Sequence, residues 1–430
     1  MTSMIHRLLH ALSFAAAALF ISASLVAAPP DALSPEPWED RAYGFRVRLP
    51  EGLAIKSQTG DEYLFRAADE KGVFLLSLAV KRSNSVLTLA QVTESARKQI
   101  LSVQGTSEVL SERNVTLINR PGVIIHARMP MVVAGGEQLL SQAIVQLDAQ
   151  TFAVLEGRTP FTERAKMEPL FDTVAQAMQM DDPKVVDQRR QEALTAGQDW
   201  RSRVGLKAMQ DALVPEQLYR LVRGSDDVGY VRMRQGRGQR EGFSGFEVEV
   251  QTRVVAENNH IDSVARFFLS DDERAEFWTI TTTRRPAQSA PGQPAGGVTF
   301  SETGIRTENE ILVTTDGPTG QRKNRLAKPP IGYLSQFEAM VLPQILPIDR
   351  PATYGFYFYS ARAGKLTFRT DQVTPALTGF VITTRLSPND LDIRSNYTAA
   401  RVLVEKQLGN DEKQLPTTAA ELARIWAGRQ

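Results

Sequence analysis

Two hydrophobic periods alternate over the first part of the chain, and one of them dominates the remainder. Phe45, Val47 and Leu49 alternate with Arg46 and Arg48, which predicts a strand closed by Pro50. Tyr63 to Arg66 and Val73 to Val80 continue as strands, joined by a turn at Asp69 to Gly72. The period then lengthens. Leu89, Val92, Ala96, Ile100 and Val103 recur at helical spacing and predict a helix from Thr88 to Val103. Strands resume at Glu112 to Asn119, Val123 to Val133, Glu137 to Leu147 and Thr151 to Glu156. A second helix, from Thr162 to Met178, aligns Leu170, Phe171, Val174, Ala175 and Met178 on one face. Antiparallel strands with two helices packed on them define an α+β sandwich over residues 38–180.

Residues 181–199 form a charged connector that begins Asp-Asp-Pro and turns helical; the domain boundary falls there. From residue 200 to 430 the pattern predicts about ten strands and few helices. Gln217 to Arg223 and Val228 to Gln235 pair around the turn Gly224 to Asp227. Phe243 to Val255, Ile261 to Leu269 and Glu276 to Thr283 extend a meander, and the Pro- and Gly-rich stretch Arg285 to Gly297 reads as a hairpin tip. Val298 to Arg306 pairs with Glu310 to Thr315. Later strands fall at Thr353 to Ser360, Lys365 to Val373, Gly379 to Leu386 and near Ala400 to Gln407, before a closing helix at Ala419 to Trp426. The economical architecture is one large curved antiparallel β-sheet, a half-barrel.

One segment breaks this pattern. Over residues 330–347, Ile331, Leu334, Phe337, Met340, Val341, Ile345 and Leu346 make a helical stripe, preceded by Pro329 and Pro330 and interrupted by Pro343. This inserted helix is more apolar than a surface helix needs, so its stripe must be buried. Either it plugs the concave side of the sheet as permanent core, or it caps a groove and moves to admit an apolar ligand. Under the second reading the ligand-binding residues are Ile331, Leu334, Phe337, Met340, Val341 and Ile345, with Tyr230, Phe356 and Phe358 on the strands. Tyr354, Phe356 and Phe358 alternate with Gly355, Tyr357 and Tyr359, which predicts a central strand covered on both faces.

The segments Tyr43-Gly44-Phe45-Arg46-Val47-Arg48-Leu49-Pro50-Glu51-Gly52 and Arg120-Pro121-Gly122-Val123, with the order of elements around them, resemble the PsbP-like family of exported or lumenal domains. That resemblance covers about a third of the chain and implies a docking or ligand-holding module. A run of long strands with an internal apolar helix, spanning Gln217 to Gln407, is similar in plan to the half-barrels of LolA and LppX, which hold lipid or lipoprotein acyl chains. Gly229-Tyr230 and Tyr354 to Tyr359 also resemble features of uncharacterised exported bacterial proteins of that shape.

Composition narrows the setting. Arg7 precedes an uncharged run from Ala11 to Ala28, broken at Pro29-Pro30, which predicts a Sec-type signal peptide over residues 1–28. Uncleaved, Leu8 to Ala28 could just span a bilayer; no later stretch is long enough. The chain contains no Cys, which excludes disulfides, thiolate metal sites and a Cys nucleophile. A Gram-negative periplasm suits a disulfide-free exported protein. The formal net charge of +1 falls to about zero without Arg7, leaving no electrostatic handle for nucleic acid.

Catalytic signatures are sparse. Beyond the signal only His126 and His260 remain, too few for a His-rich zinc site, and Gly242-Phe243-Ser244-Gly245 lacks nucleophile-elbow spacing. Gly236 to Gly242 mimics a nucleotide loop but joins two strands, as a hairpin turn would. The acidic clusters Asp271-Asp272-Glu273 and Asp390 to Asp392 sit in turn sequence. Arg232, Arg234, Arg237 and Arg240 form the densest basic group, either the wet side of a half-buried strand or a contact for an acidic surface or headgroup. The expected protein is therefore exported, non-catalytic and free of cofactors and metals, binding a lipid-like or other apolar envelope ligand. A scaffold or docking protein in an envelope complex is the first alternative, and a carboxylate-dependent hydrolase the second.

Overall fold

Two covered sheets account for most of the chain. The computed structural model describes residues 33–40, 43–55, 63–103, 107–131, 136–256, 259–286, 297–361, 363–387, 390, 392–409 and 412–427. The expected signal peptide, most of the hairpin tip after Arg285 and the middle of the acidic cluster at 390–392 lie outside them. The chain divides into two units between Val186 and Asp187, inside the expected connector.

The first unit contains β1 (Trp38–Glu39), β2 (Phe45–Val47), β3 (Ala54–Ile55), β4 (Phe65–Ala68), β5 (Leu75–Arg82), α1 (Leu89–Ser102), β6 (Glu108–Leu117), β7 (Arg120–Pro130), β8 (Glu137–Gln146), β9 (Thr151–Pro160), α2 (Arg164–Ala177) and β10 (Gln179–Met180). Seven strands form an antiparallel sheet in the order β3-β4-β5-β9-β8-β7-β6, and β1-β2-β10 form a small second sheet. β7 reads almost continuously apolar, because α1 covers one face and α2 the other. Val123, Ile125 and Ala127 pack with Ala96 and Ile100 of α1. Ile124 joins Phe171 and Val174 of α2 on the opposite side. The Thr88–Gln91 capping box starts α1 where the helical period begins. This is the α+β sandwich expected from the sequence.

The second unit follows from within α3 (Pro183–Arg201). It contains α4 (Leu206–Asp211), β11 (Glu216–Arg223), β12 (Asp226–Arg240), β13 (Phe243–Ala256), β14 (Asn259–Ser270), β15 (Glu276–Pro286), β16 (Val298–Arg306), β17 (Ile311–Asp316), β18 (Arg322–Leu326) and β19 (Tyr333–Leu334). After α5 (Gln336–Ile345) come β20 (Ala352–Ser360), β21 (Lys365–Ala376), β22 (Gly379–Arg385), β23 (Ile393–Thr398), β24 (Leu403–Gly409), β25 (Glu412–Pro416) and α6 (Ala419–Trp426). Fifteen strands form one sheet, from β18 at one end through β11 and β25 to β19 at the other. It is not closed, but it curls strongly. β15 and β20 stand fourth and fourteenth in that order, about 48 Å apart in a flat sheet. Yet the Trp278 and Tyr359 rings they carry lie 5.2 Å apart.

Three expectations need correction. Gly236 to Arg240 is not a turn: β12 continues through it, paired with β13, and the chain reverses at Glu241-Gly242, both at positive φ. The inserted helix starts at Gln336, not after the prolines, because Ser335 and Glu338 form a capping box. The aromatic strand β20 is not central. Only two-residue β19 lies beyond it, although α3 packs closely enough that a Cβ on Gly355 would sit 3.0 Å from the Ala193 backbone.

Gly304 on β16 permits another such approach. A Cβ there would lie 1.9 Å from two indole carbons of the fully buried Trp278. Gly304→Ala is expected to cost at least the roughly 1–3 kcal/mol of an overpacked core, measured by denaturant unfolding followed by tryptophan fluorescence.

Candidate functional site

The register separates the two faces of the large sheet. Phe246, Val248, Phe267 and Trp278 lie on the inner face and pack with Phe337 and Val341 of α5. Phe356, Phe358, Val373, Phe380 and Ile382 form a second wall and pack with Leu334, Ala339, Leu342 and Leu346. α5 therefore sits between two aromatic walls, with Phe337 stacked on Phe246 at 5.4 Å between centroids.

Of the nine residues expected to bind a ligand, seven gather here: Leu334, Phe337, Met340, Val341, Ile345, Phe356 and Phe358. Leu334, Phe337, Val341 and Phe356 are each 0 % exposed, so they offer no surface while α5 is seated. Ile331 does not join them. It precedes β19 and is 84 % exposed, since the helical stripe does not extend back that far. Tyr230 lies on the outer face, its ring 5.9 Å from that of Trp426 in α6.

Charged side chains fix α5 at both ends, with the fully buried Glu276 at its start. At its N-terminus the Glu276 carboxylate, 0 % exposed, accepts the Gln336 N–H at 2.5 Å, the Tyr333 hydroxyl at 3.1 Å and Arg306 Nε at 3.4 Å. Glu338 accepts the Ser335 N–H at 2.8 Å and Arg201 Nε at 2.9 Å, and Arg201 also bonds Glu273 at 3.0 Å. At the C-terminus the Arg401 guanidinium donates to the Pro343 and Leu346 carbonyls, each at 2.9 Å. Acids at the start and a cation at the end match the polarity of the helix dipole. Trp200 Nε1 donates to the Ile345 carbonyl at 3.4 Å, and Glu302 accepts from Trp278 Nε1 at 2.8 Å and the Tyr359 hydroxyl at 3.1 Å.

Burial pushes Glu276 up from the ordinary carboxylate range, against the pull of Arg306, and it raises Glu273 as well. These acids sit in one network, but each is held by bonds that secure the helix. Sequence patterning did not single out Glu276, Arg306, Arg201 or Arg401. The traceable signals were Ser-x-x-Glu at 335–338 and the strand alternation that puts Glu276 in phase with Trp278.

The other candidates resolve individually. Arg232 and Arg234 share Glu216 on the outer face, and Arg237 pairs with Asp271 at 2.5 and 2.6 Å. Arg240 stacks 5.9 Å from the Phe277 ring. The basic group is thus largely an ion-pair ladder. In the first unit, His126 Nδ1 lies 2.8 Å from Ser141 Oγ and its Nε2 lies 3.2 Å from Asp172 Oδ1. These three residue types match a hydrolytic triad, but Ser141 and His126 are each 2 % exposed between β8, β7 and α2. Such burial gives a substrate no approach to the hydroxyl. Among the described residues, no group of three or more His, Asp or Glu is placed to hold a metal ion, and no helix is long and apolar enough to cross a membrane.

No family model matches the chain, and no curated protein matches it in sequence. Solved structures similar to it include cyanobacterial PsbP (CyanoP) from Synechocystis sp. PCC 6803, at 17 % identity and a TM-score of 0.28, covering 34 % of this chain and 92 % of that one. Another is the β-barrel-like protein of domain of unknown function DUF1849 from Brucella abortus, at 11 % identity and a TM-score of 0.32, covering 47 % of this chain and 95 % of that one.

Replacing Glu276 tests whether the charge network holds α5. Glu276→Leu leaves Arg306 buried without its carboxylate and should cost about 3–5 kcal/mol in denaturant unfolding. Glu276→Gln fixes the site in an uncharged form. Because the folded state raises this acid, wild type should lose stability relative to Glu276→Gln as pH rises above 4.5, the ordinary glutamate value.

Proposed function

We propose that this protein is exported and works in the bacterial envelope, without catalysis, by binding an apolar ligand on the inner face of its C-terminal sheet. The observation that carries this reading is an inner-face strip that α5 leaves incompletely covered. Met233, Val250, Ala265 and Ile280 form one row across β12 to β15, and Val231, Thr252, Ser263 and Thr282 form the next. All eight are only partly buried, whereas the row beneath α5, with Val248, Phe267 and Trp278, is sealed. The Ser263 and Thr282 hydroxyls satisfy each other at 3.0 Å, so the second row presents mainly methyl groups. A concave apolar surface with few polar groups suits a hydrophobic ligand. The likeness in plan to LolA and LppX supports the same class of ligand, and the uncharged run near the N-terminus supports export.

The ligand reading therefore moves from a mobile α5 to the strip beside it. A second reading, a scaffold or docking protein with no small ligand, is favoured by the locked α5. A carboxylate-dependent hydrolase has less support, because Glu276 and Glu338 are committed to the helix N-terminus.

Native mass spectrometry with lipid extraction, on protein purified from a Gram-negative periplasm, tests the proposal. A stoichiometric apolar molecule is expected with wild type, and none with a folded Ile280→Asp variant. A clean mass that takes up no added lipid or fatty acid would overturn ligand binding and leave the scaffold.

A further inference from the structure

Farther along the same inner face stands a lysine whose ammonium has no ion-pair partner among the described residues. Cross-strand register places Ile382, Ser395, Lys406, Gln414 and Leu221 in one row over β22, β23, β24, β25 and β11. Ile382 belongs to the apolar wall that packs on α5, so this row lies on the inner face. The row continues through Gly229 to Val254 on β13 and meets the second unit's apolar strip. β24 and β13 stand tenth and sixth in the sheet order, about 19 Å apart along the sheet.

The charges around Lys406 do not balance. Arg369 and Asp371, at 7 % and 0 % exposure, form a bidentate pair at 2.7 and 2.9 Å, and Thr384 donates to the same carboxylate at 2.6 Å. Asp371 is thus already used by a buried arginine. Among the described residues, the ammonium of partly buried Lys406 makes no hydrogen bond and no ion pair. Burial pushes its ammonium below the usual lysine range, Arg369 adds to that shift and Asp371 opposes it. A half-desolvated ammonium with spare donors is costly alone and gains most from an anion that enters with the ligand.

Building on the apolar-binding reading above, we infer that Lys406 anchors the anionic head of an amphiphile whose chain lies along the inner-face strip, a long-chain carboxylate being the simplest such ligand. The span from Lys406 to the strip accommodates a long acyl chain lying across the strands. The paired Arg369 and Asp371 leave Lys406 to supply the charge at the head, and Ser395 is its register partner on β23.

The test uses cis-parinaric acid, a fluorescent long-chain carboxylate, and its methyl ester, titrated into the full chain. Wild type should bind the acid more tightly than the ester. Lys406→Met should weaken the acid at least about tenfold, the loss of one charge-assisted hydrogen bond, and leave the ester unchanged. Lys406→Arg, which keeps the charge, should retain the preference and show that the fold survives substitution there. Equal binding of acid and ester by wild type, or an acid affinity unmoved by Lys406→Met, would overturn the anchor while leaving the apolar site in place. Failure of wild type to bind either probe would overturn both readings together.

Discussion

The second unit depends on a single buried carboxylate. Glu276 stands at the start of β15, fully enclosed, and receives the first free N–H of α5, the Tyr333 hydroxyl and Arg306. An apolar ten-residue helix inside a curled sheet has unsatisfied amides at its start and no water to solvate them. Glu276 and Glu338 satisfy them, Arg201 and Arg306 balance the resulting negative charge, and Arg401 closes the far end. With α5 fixed, the sheet has a body to curl around. Trp278 and Tyr359 then meet across it and share Glu302.

This arrangement leaves closed and partly open rows side by side on one concave surface. Rows directly beneath α5 carry large aromatics and are closed. Those farther along β12 to β15 carry Val, Ala, Thr and Ile and remain partly open. Opposite them the inner face turns polar, with Arg369 and Asp371 neutralising each other and Lys406 left over. The proposed ligand, apolar along its length and anionic at one end, is chosen to match this distribution. The first unit uses the same physics for a different end. Its sheet is covered on both faces, and the polar groups it buries, His126, Ser141 and Asp172, close on one another.

Much of the fold was written in local patterning. The switch from a period of two to one of 3.6 located α1 and α2 within a residue or two, and the β-rich remainder gave the antiparallel sheet. The apolar insertion was visible because Leu334, Phe337 and Val341 exceed what a surface helix tolerates. Its start lies at the Ser335–Glu338 box and not at the prolines 329 and 330, which favour a helix start equally well by local preference. β18 and β25 are not legible in the sequence because Arg-Lys-Asn-Arg-Leu and Glu-Lys-Gln-Leu-Pro lack an apolar alternation; neighbouring strands, not their own side chains, hold them in the sheet.

By itself, then, the sequence determined most of the strands and helices and that one helix must be buried, because these follow from each side chain's preference for or against water. Only the tertiary structure decided which charges meet. Glu276 finds Gln336 sixty positions away, and Arg201 finds Glu338 at a separation of 137. Such pairings depend on how the sheet curls and in what register its strands align, and neither leaves a periodic trace along the chain. For the same reason the burial of α5's stripe was not legible as protein-covered until the sheet had curled around it. A residue's apolar character fixes that it will be buried, but the packing around it decides whether protein or ligand does the covering.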